Sequence, residues 1–429
     1  METRLLYDYY LECSSLFTDS RRVAEGGIFF ALKGASFDGN RYATQALAAG
    51  ARYAVIDDPA YDDHSGRMIV VEDTLQALQA LARHHRRQYD IPIIAITGTN
   101  GKTTTKELTN AVMSTTHPTL CTEGNFNNHL GVPLTLLRLL PSHTHAIIEM
   151  GANHCGEIAE LCAIAEPTHG LITNVGQAHL EGFGSFEGII RTKTELYRWL
   201  RDHGGTAFVD RHNDYLTPHL EGLSLTTYGV EQAADEWISD IACSPMLHFR
   251  WQGEEATTIT TKLIGSYNAQ NCAAAIAVGS FFGVERAKIA SAIADYSPTN
   301  NRSQWFETKH NRLIIDAYNA NPSSMAAALD NLARIEAPHR GVILGDMFEL
   351  GDNEASEHQR IVALLEGYRF DTVILCGAAF ASLPHNPFTT LATTEEACAY
   401  LAAHPITGAT LLLKGSRGMG MERLIDSSL

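Results

Sequence analysis

Long hydrophobic runs are missing from this sequence. No window approaches the roughly 20 consecutive apolar residues that cross a bilayer. The opening METRLLYDYYLECSS also lacks the basic start and apolar core of a secretory signal. Because both absences argue against membrane insertion and export, we expect a cytoplasmic protein.

Cysteine pairs and metal-ligand spacings are missing as well. The eight cysteines include no C-x-x-C pair and no spacing with histidine that is typical of a zinc site. In intracellular proteins such cysteines are most often buried, reduced thiols. We predict that state here.

Basic residues are scarce. The chain has 32 Lys and Arg against 49 Asp and Glu, a formal net charge of −17. No stripe of clustered Lys and Arg is present, which argues against a nucleic-acid partner because phosphate backbones are bound by such clusters. An anionic substrate must then be met by a local site. The 45% share of hydrophobic residues is typical of a globular protein, and we expect a monomer.

The length of 429 residues predicts two or three domains, and we favour three. The fold class we predict is α/β. A small N-terminal α/β domain covers residues 1–87, and a central P-loop domain with a doubly wound parallel sheet covers residues 88–300. A C-terminal Rossmann-like α/β domain covers residues 301–429, after a turn-rich linker at residues 297–301.

Short apolar, β-rich runs alternate with helical stretches along most of the chain, which favours parallel sheets built from βαβ units. Residues 222–263 instead alternate polar and apolar, as in an added sheet edge. The predicted strands are residues 28–32, 53–56, 91–97, 146–149, 170–173, 206–209, 313–316, 341–344, 372–376 and 410–413. The predicted helices are residues 42–49 and 268–282, and a further helix that opens at the glycine-rich loop and runs to about residue 113.

A glycine-rich loop follows the buried strand at residues 91–97 and opens a helix, which is the context of a phosphate-binding loop. Backbone N–H groups close around phosphates, Lys102 neutralises charge, and the Thr103 hydroxyl can join Mg²⁺. The full motif would have glycine in place of Ile96, and the alternative is a plain glycine turn before a helix. The loop consists of Gly98, Thr99, Asn100, Gly101, Lys102, Thr103 and Thr104.

Three further residues are candidates through their position. Glu149 ends an apolar strand at the sheet edge where ligands bind, and it could hold Mg²⁺. His179 lies in another loop after a buried strand. Taken alone, Glu149 could be a solvated charge, His179 a satisfied side chain, and Lys193 a solvated helix lysine.

Several short sequence motifs follow one another along the chain. They are Gly-Thr-Asn-Gly-Lys-Thr-Thr-Thr, Glu149-Met150-Gly151, Asn174-Val175 with His179, Tyr267-Asn268 with Asn271, and Asp-Ala-Tyr-Asn-Ala-Asn-Pro-Ser-Ser from Asp316. In this order the chain resembles the Mur ligases, the ATP-dependent amino-acid-adding enzymes of peptidoglycan synthesis. The resemblance covers nearly the whole chain and is dense from 93 to 425.

Within that family, four words resemble one branch in particular: Gly-Asn-Phe-Asn-Asn-His-Leu-Gly-Val-Pro, Glu-Met-Gly-Ala-Asn, Leu-Gly-Asp-Met-Phe-Glu-Leu-Gly and Lys-Gly-Ser-Arg. The resemblance implies a ligase that adds D-alanyl-D-alanine to UDP-N-acetylmuramoyl-tripeptide through an acyl phosphate. The chain lacks the Asp-Asn-Pro-Arg word of the diaminopimelate-adding enzyme. The alternatives are a neighbouring ligase that adds a single amino acid, a folate polyglutamate ligase, and a nucleotide-dependent switch or assembly protein.

The resemblance also implies roles around ATP. Lys102 and Thr103 would bind its phosphates and Mg²⁺, and Glu149 and His179 would be metal ligands. Lys193 would carry a carbamate that holds a second Mg²⁺. The remaining implied nucleotide contacts are Asn268 and Asn271 near the adenine, and Arg302 and Asp316 at the phosphate and ribose ends.

The peptide substrates have candidate residues too. Ser20, Arg21 and Asn40 resemble the part of the family that holds the UDP-sugar, although such residues are also ordinary turn formers. Asn127 and Asn128 are the candidates for the UDP-muramoyl peptide in the second domain. Asn319, Asn321 and Lys414 are implied near the incoming dipeptide.

Overall fold

A computed structural model describes residues 2–178, 180–427 and 429 of the chain. Contacts divide it into two compact units. The first comprises Met1–Ala95, Pro118–Gly151 and Glu157–Thr168, and the second comprises Ile96–His117, Ala152–Gly156 and His169–Leu429.

The first unit begins with an α/β region. Its helices and strands are α1 (Thr3–Leu11), β1 (Leu16–Phe17), β2 (Ile28–Phe30), β3 (Lys33–Gly34), β4 (Phe37–Asp38), α2 (Ala43–Ala48), β5 (Tyr53–Ile56), β6 (Met68–Val70) and α3 (Thr74–Arg86), with 3-10 turns at Gly39–Tyr42 and Pro59–Tyr61.

A parallel sheet in the order β1-β2-β5-β6 forms the core of this region. Its buried face packs Phe29, Ala54 and Ile56 against Ala43 and Leu47 of α2. Helix α3 starts at an Asp73 cap, because the Asp73 side chain accepts from the backbone N–H of Gln76.

The chain then enters β7 (Ile93–Thr97), whose five residues are all buried. The helix α4 (Lys102–Met113) follows and belongs to the second unit. The chain returns to the first unit for β8 (Thr119–Cys121), α5 (Gly131–Leu136), β9 (His145–Glu149) and α6 (Glu157–Ala165), and β8 and β9 pair in parallel.

The second unit continues with alternating elements. They are β10 (His169–Ile172), α7 (Leu180–Phe183), α8 (Phe186–Lys193), α9 (Glu195–Asp202), β11 (Thr206–Asp210), β12 (Ser224–Val230), β13 (Glu236–Cys243), β14 (Met246–Trp251), β15 (Thr257–Ile264), α10 (Asn268–Phe281) and α11 (Arg286–Asp295), with a 3-10 turn at Thr217–His219.

Strands β10 to β13 are neighbours in chain order and parallel, whereas β14 and β15 continue the sheet as antiparallel strands. In β15 exposed and buried residues alternate, as half-buried strands do. The predicted edge addition in residues 222–263 therefore has its counterpart here. Helix α10 is almost wholly buried, and it packs against α4 where Gly279 faces Val112.

The last part of the second unit holds a six-stranded sheet in the order β16-β17-β21-β18-β19-β20, parallel except for the edge strand β16. Its two faces carry separate apolar clusters, one containing Leu344 and Leu412 and the other containing Ile343 and Leu413. The elements are β16 (Gln304–Glu307), β17 (Arg312–Asp316), α12 (Pro322–Arg334), β18 (Arg340–Gly345), α13 (Glu354–Gly367), β19 (Thr372–Cys376), α14 (Ala378–Ala381), β20 (Thr389–Leu391), α15 (Thr394–Ala403) and β21 (Thr410–Lys414), with 3-10 turns at Gly351–Asn353, Arg417–Met419 and Met421–Ser427.

The α/β class predicted from the sequence is confirmed. In the described residues, no helix is long and apolar enough to cross a membrane. The prediction that all eight cysteines are buried is wrong. Cys155 is exposed, because it lies in the loop between β9 and α6 rather than in a packed element, and only Cys162, Cys272 and Cys376 are fully buried.

Candidate active site

The glycine loop between β7 and α4 has the backbone of a phosphate cradle. Gly98 has φ 139° and Gly101 has φ 79°, a region that favours glycine. A Cβ on Gly98 would lie 2.0 Å from Thr173 Oγ1, and one on Gly101 would lie 2.5 Å from Asn271 Oδ1. Both glycines are therefore required by conformation and by space.

The segment after β10 holds this loop in place. The Thr99 N–H donates to the Asn174 carbonyl at 2.9 Å, and the Asn100 N–H donates to Asn174 Oδ1 at 3.0 Å. In return Thr173 Oγ1 donates to the Asn100 carbonyl at 2.6 Å, and Asn174 Nδ2 donates to it at 2.9 Å. Four hydrogen bonds therefore hold the loop against the segment after β10.

Lys102 and Thr103 stand at the start of α4. The Lys102 ammonium donates to the carbonyls of Gly98 and Thr99, both at 2.8 Å, so its charge lies over the loop. Thr103 is buried in the first turn of the helix. A helix N-terminus with a lysine at its loop favours bound anions, since the dipole and the ammonium act together.

Asn268 and Asn271 lie behind the loop on α10. Asn271 Oδ1 accepts from Thr105 Oγ1 at 3.0 Å, and Asn271 Nδ2 donates to Asn268 Oδ1 at 2.8 Å. Asn268 Nδ2 in turn donates to the Ile264 carbonyl at 2.8 Å. Their observed contacts bind α10 to the loop helix, and a contact with adenine stays a prediction.

The linker before β16 is hydrogen-bonded to α4 and to the end of β17. Asn300 Nδ2 donates to the Glu107 carboxylate of α4 at 3.0 Å and 3.1 Å. The Ser303 N–H donates to Asp316 Oδ1 at 3.2 Å, so this Asp orders the chain beside Arg302.

Arg302 and Arg417 meet over Tyr318. The Arg302 guanidinium lies 3.6 Å from the centre of the Tyr318 ring, and that of Arg417 lies 5.2 Å away. Arg417 also donates to the Tyr318 hydroxyl at 3.3 Å. Arg302 Nε is buried and has no hydrogen-bond partner among the described residues. A buried donor of this kind is costly unless a ligand completes it.

Lys414 and Asn321 complete this side of the site. The buried Lys414 ammonium forms an ion pair with Asp316 at 2.5 Å and donates to the Asn319 carbonyl at 3.1 Å. Asn321 caps α12 through the Ser324 N–H and also donates to Asn100 Oδ1 at 2.8 Å. The structure therefore brings the loop of Asp316 to Asn321 onto the glycine loop.

Lys193 is the last residue of α8 and is 2% exposed. The interpretation of Lys193 as a solvated helix lysine is therefore wrong. Its ammonium lies 3.4 Å from the Ala152 carbonyl and 5.4 Å from the centre of the Phe183 ring. His179, predicted as a metal ligand, lies outside the described residues.

In the first unit, Glu149 ends β9 and is 1% exposed, so it is not a solvated surface charge. Asn127 Nδ2 donates to Glu149 Oε1 at 2.8 Å. Asn128 Oδ1 accepts the N–H groups of Leu130 at 3.1 Å and Gly131 at 2.9 Å. Asn127 thus orients the predicted metal ligand, and Asn128 shapes the turn into α5.

The N-terminal candidates differ in exposure. Asn40 is buried, and its amide bonds to Asp38 and Asp57. Arg21 is exposed and pairs with Asp19 through two hydrogen bonds of 2.9 Å. Ser20 lies beside it, partly exposed, so Ser20 and Arg21 are the accessible members of this group.

Sequence reasoning missed the structural roles of Thr173, Tyr318 and Arg417. Thr173 and Tyr318 follow the carboxyl ends of parallel strands, where the chain turns toward ligands, and that position was the available signal.

The donor set suits a magnesium nucleotide. The loop ends at a helix N-terminus with the Lys102 ammonium beside it, and Arg302 offers an uncompleted donor. Within the described ranges, no three His, Cys, Asp or Glu residues cluster as a metal cage. Mg²⁺ sites of nucleotide enzymes need no such cage, since phosphates supply part of their ligands.

This loop and its supports define a nucleotide-binding P-loop enzyme of the α/β class. Family models match in chain order: the Mur ligase family catalytic domain at residues 12–86, the Mur ligase middle domain at residues 96–279, and the Mur ligase glutamate ligase domain at residues 301–417. The chain belongs to the Mur ligase family. It is an ATP-dependent ligase with the three-domain architecture of that family.

Curated relatives agree over almost the full length. The UDP-N-acetylmuramoyl-tripeptide--D-alanyl-D-alanine ligase of Bacillus subtilis is 34% identical, covering 95% of this chain and 91% of the relative. The enzyme of the same name from Escherichia coli is 33% identical, covering 95% and 92%.

Solved structures are similar too. MurF from Acinetobacter baumannii has a TM-score of 0.88 and 31% identity, covering 99% of this chain and 97% of that one. MurF ligase from Thermotoga maritima in complex with ADP has a TM-score of 0.86 and 25% identity, covering 97% of each chain.

Proposed function

We propose that this ligase joins D-alanyl-D-alanine to UDP-N-acetylmuramoyl-tripeptide with consumption of ATP, in the synthesis of a peptidoglycan precursor. The observation that carries the proposal is the glycine loop, with the Lys102 ammonium over it and Asn321 bonded to Asn100. The names of relatives aligned over nearly the whole chain supply the substrates.

The reaction follows from carboxylate chemistry. A carboxylate is a poor acyl donor, so the γ-phosphoryl group moves from ATP to the tripeptide carboxylate, giving an acyl phosphate and ADP. The dipeptide amine then attacks the acyl carbon, phosphate leaves with the bonding electron pair, and the amine proton passes to a base.

Phosphoryl transfer mainly requires in-line positioning and neutralisation of charge. We assign neutralisation to Lys102 and Arg302, and positioning of the phosphates to the N–H groups of the loop. Asp316 orders the chain beside Arg302 and is proposed at the ribose, while Lys414, Asn319 and Asn321 face the incoming dipeptide.

The metal is proposed to be Mg²⁺, held by Thr103, Glu149 and His179, and it would neutralise the transferring phosphoryl group. Lys193 is proposed to carry a carbamate that holds a second ion. Its burial supports a role inside the site, because a lysine that is 2% exposed is not a solvated helix residue.

For the UDP-muramoyl peptide we propose Ser20, Arg21, Asn40, Asn127 and Asn128. The bonds of Asn40 to Asp57 and of Asn127 to Glu149 support positioning roles for these two amides. We propose domains at residues 1–87, 88–300 and 301–429, and a monomer that works in the cytoplasm.

The function is tested by mass spectrometry of products from ATP, UDP-muramoyl tripeptides and a panel of D-dipeptides. We expect a product larger by the dipeptide minus one water, and phosphate release that depends on both the tripeptide and the amine. Phosphate release without either acceptor would instead identify a nucleotide switch.

A further inference from the structure

A cavity of about 410 Å³ opens against α8 and α9 of the second unit. Three arginines line it, Arg191, Arg198 and Arg201. Of the described residues at its wall, one is acidic, Glu187. The formal charge of this wall is therefore positive in a chain whose net charge is −17.

Two of these guanidiniums are held in place by backbone oxygens. Arg201 donates through Nε to the Glu221 carbonyl and through Nη2 to the His219 carbonyl, both at 2.8 Å. Arg198 donates through Nη2 to the Arg191 carbonyl at 3.1 Å, and the same Nη2 lies 3.6 Å from the Glu195 carboxylate. A guanidinium has five N–H donors, so each still has donors for a ligand. Held guanidiniums lose less entropy when they bind an anion.

The pKa of His219, in the same wall, is affected by the charges of the neighbouring arginines. Burial lowers the pKa of His219, and the neighbouring charges of Arg198 and Arg201 lower it further. His219 therefore stays neutral near pH 7 and can accept or donate a hydrogen bond. Ile190 and Tyr197 add apolar surface to the wall.

We propose that this cavity binds a small organic anion, a monophosphate or a comparable dianion with a compact apolar body, at a site separate from the glycine loop. Its volume falls within the range of about 300–1,000 Å³ that is common for small-molecule sites. Planar guanidiniums match the geometry of phosphate oxygens.

The cavity also shares an element with the Lys193 site. Lys193 ends the same helix α8 that supplies Arg191. Arg191 donates to Cys155 Sγ at 3.6 Å, in the segment whose Ala152 carbonyl accepts from the Lys193 ammonium. Arg191 therefore links the wall of the cavity to the segment beside Lys193.

The test uses phenyl phosphate as the probe, titrated calorimetrically into the full-length protein that is saturated with ADP. We expect one binding event that weakens as salt is raised. In the Arg191→Gln/Arg198→Gln double variant, we expect binding at least about tenfold weaker, since two charged donors are lost. Arg250→Gln, an exposed arginine outside the cavity, should bind as the wild type does.

Two further arms complete the test. Phenol has the apolar body without the charge, and we expect it to bind at least about tenfold more weakly than phenyl phosphate. Arg198→Lys keeps the charge but loses the planar pair of donors, so it should bind more weakly than the wild type and more tightly than the double variant. Absence of binding to the wild type at millimolar probe, equal binding by phenol, or wild-type affinity in a double variant with an unchanged Tm would each overturn the proposal.

Discussion

At the scale of single residues, Lys102 is the charge nearest the phosphate cradle. We expect Lys102→Met, which keeps the aliphatic stem, to reduce ligation below about a tenth of the wild-type rate, because transfer depends on neutralisation. Product formation measures the loss, and an unchanged Tm shows that the fold survives. Lys309→Met, at an exposed position, serves as the control. Turnover above that level would remove Lys102 from the phosphate site.

Gly101 and Gly204 form a matched pair. Their φ values are 79° and 70°, but an added Cβ meets Asn271 Oδ1 only at position 101, whereas position 204 has nothing within 4 Å. We expect Gly101→Ala and Gly204→Ala to lose about 1 kcal/mol of unfolding free energy each from backbone strain. Only Gly101→Ala should also weaken ADP binding, measured by calorimetry. Equal ADP affinity in both variants would show that the loop tolerates the contact.

Substitutions of Tyr318 test the contribution of its ring, over which the guanidiniums of Arg302 and Arg417 lie. Tyr318→Leu removes the ring under Arg302, worth about 0.5–2 kcal/mol, so we expect kcat/KM for ATP to fall by about twofold to thirtyfold. Tyr318→Phe keeps the ring and loses only the hydroxyl bond to Arg417, so it should stay close to the wild type. Steady-state kinetics decide this, and equal losses in both variants would assign the effect to the hydroxyl.

Lys193 is tested by chemical rescue. We expect Lys193→Ala to be nearly inactive, and acetate or formate to restore part of the activity by supplying a carboxylate in the vacated space. Lys193→Arg should not respond, because its guanidinium stays charged and fills that space. Ligation rates with and without added carboxylate measure the rescue. Full activity of Lys193→Ala would return this residue to a structural role.

At the scale of elements, strands buried on both faces were the easiest to predict. β7, β19 and β21 are short apolar runs, and the predicted strands lie within about one or two residues of the observed ones. The edge strands β16 and β20 were missed because they are short and only partly buried. Helix α3 was missed although its Asp73 cap and the spacing of Leu78 and Leu81 were readable signals.

In the candidate site, too, some features were predictable from the sequence and others were not. The glycine loop was predictable because strand, glycines, lysine and helix are contiguous. The contacts Asn321 to Asn100 and Arg302 to Tyr318 join residues distant in sequence, and only the fold defines them. The family resemblance identified these segments as parts of the site. Composition and periodicity could not show which residues of these segments contact each other.

At the scale of the whole molecule, stability should fall in mild acid. His169 packs among Phe208, Phe281 and Phe282, and burial lowers its pKa to about 4. The unfolded chain binds this proton near pH 6.5 whereas the folded chain does not, so stability is lost as pH falls from about 6.5 toward 4.

We expect His169→Gln to lose less unfolding free energy than the wild type between pH 7.5 and pH 5, measured by urea unfolding. His85, His143 and His219 also have lowered pKa values, so the variant should keep part of the pH dependence. A variant that loses as much as the wild type would show that His169 does not contribute.

The bonds on Asn100 also bear on how long the molecule lasts. Asparagine followed by glycine deamidates most readily to aspartate, because the unhindered backbone nitrogen of glycine can attack the carbon of the side-chain amide. In this loop the Asn100 carbonyl is held by Thr173 and Asn174, and its side chain is held by Asn321. Cyclisation requires Asn100 to leave the conformation that these bonds hold, and its hydrolysis product would add a carboxylate to the glycine loop. The contacts that shape the loop for ATP therefore also slow its chemical decay.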